Sequence, residues 1–121
     1  MRENPYYQRA LEIQDEIVAN RRKVHGFAEL GFDLPQTVAL VMEQLRSYGY
    51  EPQLVGKAGV TCTVGKGGKV ILIRGDMDAL PMQEETGLPF AAQNGHCHSC
   101  GHDCHTAMLL GAAKLLKEKE D

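Results

Sequence analysis

The sequence predicts an α/β protein in which helices pack on a small mixed sheet. Three observations carry that prediction. Two N-terminal segments repeat apolar residues at helical spacing. The middle of the chain changes to β-type runs, of which "KVILIR" (residues 69–74) is the most apolar. A helical pattern then returns in "HTAMLLGAAKLLKEK" (residues 105–119).

The elements follow in order. Asn4 and Pro5 form a helix start, with asparagine as N-cap and proline in the first turn. Tyr7, Ala10, Leu11, Gln14, Ile17 and Val18 continue it as one apolar face, Arg21, Arg22 and Lys23 suit the negative end of its dipole, and Gly26 is expected to end it. A second helix is expected from Asp33, with Pro35 in its first turn and Gln36 completing a capping-box variant. Val38, Val41, Met42 and Leu45 are its expected buried stripe, and Gly49 its C′ residue. Residues 53–55 read as a short strand. Residues 60–64 alternate valine and cysteine with threonine, and with residues 69–74 they are expected to form an antiparallel hairpin around the "GKGG" turn. A long polar segment leads to the last helix, which is apolar nearly all round and expects cover on most sides.

Length and composition bound the function. The chain has 121 residues, enough for one domain, with 43% hydrophobic and 24% charged residues. A net charge of -3 offers no basic stripe for a phosphate backbone, so nucleic acid is not an expected partner. The N-terminus has no apolar leader, and the longest apolar run, residues 107–116, is too short for a span and contains Lys114, so no membrane role is expected. A cytoplasmic protein with reduced cysteines is the expectation. An apolar strand and an apolar helix both lack sufficient partners, which suggests the N-terminal part of a larger domain.

Two stretches carry chemistry. In "RGDMDALP" (residues 74–81) Asp76 and Asp78 follow a strand, where open α/β sheets place their ligands; such carboxylates either bind or orient metal ligands, or simply cap turns. In "HCHSCGHDCH" (residues 96–105) eight of ten side chains can bind a metal. A closed zinc knot needs four ligands in a tetrahedron, usually from two separated knuckles, and only one cluster is present. Cys97 and Cys100 form a C-x-x-C pair, but the helix opens later, near Asp103, against a thioredoxin-like use. An incomplete metal site fits better, with Cys100 and His102 at the loop-to-helix junction, Gly101 for the tight turn and Asp103 as N-cap.

"RRKVHGFAELGF" (residues 21–32), "RGDMDALPMQEETGLPF" (residues 74–90) and "HSCGHDCHTAMLLGAAKLL" (residues 98–116), in this order and spacing, resemble the M20 metallopeptidase family. The resemblance is to its amidohydrolases of N-acyl amino acids, such as hippurate hydrolases, auxin-conjugate hydrolases and N-acetyl-diaminopimelate deacetylases. It implies a catalytic α/β domain with an inserted lid or dimerisation domain, two divalent metals, and amide hydrolysis. Zinc or manganese is the usual metal, and cobalt or nickel fits the same donors. The family's motif Cys-Gly-His implies that Cys100 and His102 are metal ligands. Asp78 inherits a catalytic-support role, and Asp76 takes the place of a ligand; Asp103 and His105 are supporting or additional candidates. Cys97 and Cys104 depart from the family's methionine and glycine, and Ala28 from its proline.

The resemblance also implies that the general-base glutamate, its paired ligand and the later histidines lie outside residues 1–121. This stretch is therefore expected to be the N-terminal portion of the catalytic domain and inactive alone. A small N-acyl amino acid is the implied substrate, with a homodimer as the open assembly. The rival reading is a self-contained metal-binding or thiol module without hydrolase activity.

Overall fold

The computed structural model describes residues 3–120. Four helices and one two-stranded sheet follow in the order α1 (Pro5–Glu12), α2 (Gln14–Phe27), α3 (Pro35–Ser47), β1 (Gln53–Val55), β2 (Gly59–Thr61) and α4 (His102–Glu118). The α/β class stands, and the sheet among the described residues is antiparallel, with Leu54 opposite Val60.

Asn4 caps α1 as expected, its side-chain oxygen accepting from the Tyr6 and Tyr7 amides at 2.8 and 3.4 Å. The first helix is nonetheless two helices. Ile13 steps out of helical geometry (φ -98°, ψ 11°) and turns into the core at 5% exposure. This changes the buried face. Ile13, Asn20 and Val24 point inward, while Tyr7, Leu11 and Val18 from the expected stripe are exposed. Gly26 does not end α2. The helix runs one residue further, and Ala28 takes the left-handed conformation (φ 37°) inside a cluster of small residues with Ala79 and Ala92. The Asn94 amide donates to the carbonyls of Phe27 (2.8 Å) and Ala28 (3.2 Å), so the helix end is satisfied from a distant loop.

A distant residue also caps α3. Its start has no local side-chain cap, and the Glu29 carboxylate accepts from the Gln36 and Thr37 amides at 3.0 and 2.7 Å, replacing the expected Asp33–Gln36 box. The buried residues are Thr37, Leu40, Val41 and Leu45; Val38 and Met42 are only half-buried. Gly49 follows the helix with φ 98°. The Tyr50 amide bonds the Leu45 carbonyl and the Gly49 amide that of Arg46, a Schellman closure that delivers the Tyr50 ring to the core.

That core gathers Val41, Leu45, Tyr50 and Leu110. Tyr50 also donates to the Ala113 carbonyl at 2.7 Å, tying the end of α3 to α4. An ion pair between Lys114 and Glu16 joins α4 to α2, and Arg9 grips Glu118 through two hydrogen bonds. No helix among the described residues is long and apolar enough to cross a membrane.

The hairpin lies elsewhere than expected. Residues 60 and 61 pair with residues 53 and 54, and residues 69–74 belong to no sheet among the described residues. Val70, Ile71 and Leu72 are 85–89% exposed. The physical reason is that a strand apolar on both faces needs cover on both, and the described elements supply none there. The outer side of α4 is likewise open at Met108 and Leu116.

Candidate metal centre

Residues 74–78 run past the first turn of α4, and that approach builds the site. A Cβ on Gly75 would lie 3.3 Å from the His105 carbonyl and from the Leu109 side chain, so glycine permits the close crossing. The Thr106 hydroxyl lies 3.0 Å from the Asp76 carbonyl and 2.9 Å from that of His102, pinning the crossing to the helix. Gly101 precedes the helix with φ 88°, a left-handed turn that a side chain would strain.

His102 and His105 stand three residues apart on one face of α4, with rings 5.5 Å apart and nearly parallel. Asp76 faces both. Its carboxylate lies 2.6 Å from His105 Nδ1 and 3.4 Å from His102 Nε2. The hydrogen bond from His105 is the main reason its carboxyl sits below the ordinary range, against a smaller opposing effect of burial. Asp78 lies 2.9 Å from His102 Nδ1, so the Nε2 of that ring faces Asp76. One ligand atom from each of Asp76, His102 and His105 lies within 4.8 Å of the others. Two imidazoles and a carboxylate fit a divalent ion, and Asp78 supplies the outer carboxylate that ligating histidines usually have.

The remaining sequence candidates are placed differently. Cys100 is exposed, one residue before the turn, and is not in the convergent group. Asp103 is not the N-cap, which is Gly101; it sits in the first turn, fully buried, with its carboxylate turned to Arg21 and His25 at 2.7 Å each. Cys97 is buried in a backbone bridge with Leu80, and burial pushes its thiol up. Cys104 is half-buried.

Sequence reasoning missed the polar network behind the turn. His25 is 4% exposed and has a carboxylate against each ring nitrogen, Asp103 at Nδ1 (2.7 Å) and Glu84 at Nε2 (2.8 Å). Burial works to raise the Glu84 pKa, but hydrogen bonds from Thr86, His25 and the Ala92 amide prevail and hold it at about 2. Arg21 and Arg22 stack their guanidinium groups over Phe90, 5.2 and 4.9 Å from the ring centre. His98 is buried beside His25, with no hydrogen-bond partner for either nitrogen among the described residues, and burial lowers its pKa. The network ties together three stretches far apart in sequence: residues 21–25, Glu84 and Asp103.

The profile of peptidase family M20/M25/M40 matches residues 72–121, the stretch that holds every member of the metal cluster. The N-acyl-L-amino acid amidohydrolase of Geobacillus stearothermophilus is 43% identical over 91% of this chain, and the hippurate hydrolase of Campylobacter jejuni is 46% identical over 88%. This chain belongs to the M20 family. In structure it is similar to a Bacillus subtilis dinuclear metal-binding peptidase of the M20 family, with a TM-score of 0.85 and 38% identity over 90% of this chain. The M20 chain in hand spans 31% and 29% of the two enzymes' lengths and 32% of that solved structure.

Proposed function

We propose that this chain carries one side of the two-metal site of an M20 amidohydrolase acting on N-acyl amino acids. Residues 1–121 are then the N-terminal portion of its catalytic domain. The observation that carries the reading is the convergence of Asp76, His102 and His105, with Asp78 bonded behind His102. The relatives named as amidohydrolase and hippurate hydrolase support the substrate class.

The residues divide the work. His102 offers Nε2, His105 offers Nδ1 and Asp76 offers carboxylate oxygens to divalent metal, zinc or manganese first and cobalt or nickel next. Cys100, at the open mouth of the same turn, is a further ligand. Asp78 fixes the His102 tautomer and is a positioning residue. Bound metal would polarise an amide carbonyl and lower the pKa of a bound water. The proton acceptor for that water is a glutamate outside these residues, so the chain alone does not turn over. The reading places the enzyme in the cytoplasm, where its four free cysteines stay reduced, with a homodimer as its assembly.

The test is metal binding followed by turnover. The purified chain should bind Co2+ weakly, and Asp78→Asn should weaken that binding about 10- to 100-fold without altering the fold. It should not hydrolyse N-acetyl or N-benzoyl amino acids. Tight binding of one zinc with all thiols shielded from alkylation would favour the self-contained module instead. Turnover by the isolated chain would refute the division of labour.

A further inference from the structure

Asp78 is aimed at His102, yet its side chain is 42% exposed, so its direction has to come from the backbone on either side. On the N-terminal side the Asp76 carbonyl meets the Thr106 hydroxyl at 3.0 Å. On the C-terminal side two successive amides are taken up. Ala79 donates to the Glu29 carbonyl at 2.7 Å, and Leu80 donates to the Cys97 carbonyl at 2.9 Å. We propose that Glu29 is a positioning residue, which ties the peptide after Asp78 to the first turn of α3 and so keeps the Asp78 carboxylate on His102. The inference rests on the metal-site reading for what Asp78 serves.

Glu29 joins the two because its main chain holds the metal loop while its side chain holds a helix. The carboxylate accepts from the Gln36 and Thr37 amides at 3.0 and 2.7 Å. Both belong to the first turn of α3, where a helix leaves its amides free and attracts negative charge. The helix is itself anchored, with Thr37 fully buried and Val41 and Leu45 in the core. Glu29 is 8% exposed, so these bonds are largely shielded from water. Only a short turn links Glu29 to α3 otherwise, closed from the Asp33 amide to the Leu30 carbonyl at 3.1 Å. Without the carboxylate, the Glu29 carbonyl is free to swing with that turn.

The packing around Ala79 does not replace this bond. Ala79 sits in the cluster of small residues with Ala28 and Ala92. Apolar contact fixes how near that stretch lies to the end of α2, but it is non-directional. The hydrogen bond to Glu29 fixes which way the peptide faces, and with it the side chain of the residue before. A carboxylate that served α3 alone would act on the helix and leave Ala79 and the metal untouched.

The test pairs amide hydrogen exchange of the metal-free 121-residue chain with Co2+ binding. In Glu29→Ala the Ala79 amide should exchange about tenfold faster relative to the Leu110 amide of the same sample, whose place in the buried middle of α4 makes it report general loss of stability. Co2+ should bind about 3- to 10-fold more weakly, less than in Asp78→Asn because the outer carboxylate is loosened and not removed. In D78N/E29A the second change should add less than about twofold, since residues that act through one another are not additive. Asn4→Ala, which removes the cap of α1, should leave both readouts in place. Should Glu29→Ala fail to fold, Glu29→Gln takes its place: its single acceptor oxygen serves one of the two amides, and the same two changes should follow at smaller size. An Ala79 amide no faster than that of Leu110 in the folded variant, or a Glu29 effect on Co2+ undiminished beside Asp78→Asn, overturns the proposal. Failure of the wild-type chain to take up Co2+ would count against the metal site and leave the exchange comparison to decide.

Discussion

Two polar clusters flank the first turn of α4, and they are built on opposite terms. Behind the turn, Asp103 and His25 are 0% and 4% exposed, and every ionised oxygen of Asp103 and Glu84 meets a donor. In front of it, the side chains of His105 and Asp78 are 47% and 42% exposed, and the three convergent ligands have each other, Asp78 and, 3.9 Å from Asp76, the exposed Arg74 for company. Buried polar groups must be saturated to be tolerated, whereas groups that will take a ligand must keep capacity for it. The contrast separates scaffold from site without reference to any relative.

The strongest way to break this contrast is to strike the saturated side. Asp103→Asn removes the charge that Arg21 and His25 share and should cost about 3 kcal/mol, the lower end for breaking a buried pair because Arg21 is partly exposed. Urea unfolding measures it. The matching change in front, Asp76→Asn, should move the urea midpoint far less, because that carboxylate is only partly buried, and act mainly on metal binding. Equal losses of stability from the two would erase the distinction.

Acid offers a second probe, of intermediate size. The Glu84 carboxyl sits at about 2 when folded, against an ordinary 4.5. A depressed folded pKa contributes stability that is fully present above the unfolded value and is lost as pH falls through the folded one. The chain should therefore lose stability between about pH 4.5 and pH 2. Thermal midpoints at pH 5 and pH 3 should differ less in Glu84→Gln than in the wild type. An identical slope in both would assign the acid limb to other carboxylates.

The two clusters also differ in how far they could be read from the sequence. The front cluster was legible because its members are near in sequence and of ligand type: Asp76 and Asp78 in one motif, His102 and His105 in another. Cys100 was equally legible by type, but one residue of turn leaves it exposed and outside the convergent group. The back cluster was hidden because its contacts span 59 and 78 positions and depend on how α2 is rotated. That rotation follows from the break at Ile13, which no proline or glycine announces. Its one signal was that His25, Glu84 and Asp103 each fall within a stretch carrying the family resemblance. The same logic covers the caps. Asn4 is local and was readable, while Glu29 and Asn94 reach helix ends through tertiary contact.

Residues 69–74 give the smallest expected effect and the sharpest apolar counterpart to this contrast. Periodicity and composition made them the central strand, yet Ile71 is 85% exposed and forms no part of either apolar cluster. A side chain that buries little on folding has little to lose. Ile71→Lys should therefore shift stability by no more than about 0.5 kcal/mol, as for ordinary surface changes. It should also lower light scattering, because a charge interrupts an apolar, β-prone run open to other chains. Leu110→Ala, at 3% exposure in the core beneath α4, should by contrast cost about 2–5 kcal/mol. A loss from Ile71→Lys approaching that of Leu110→Ala would mean that residues 69–74 are covered in solution. Repeating the measurement over a range of chain concentrations would then tell whether a second copy supplies the cover.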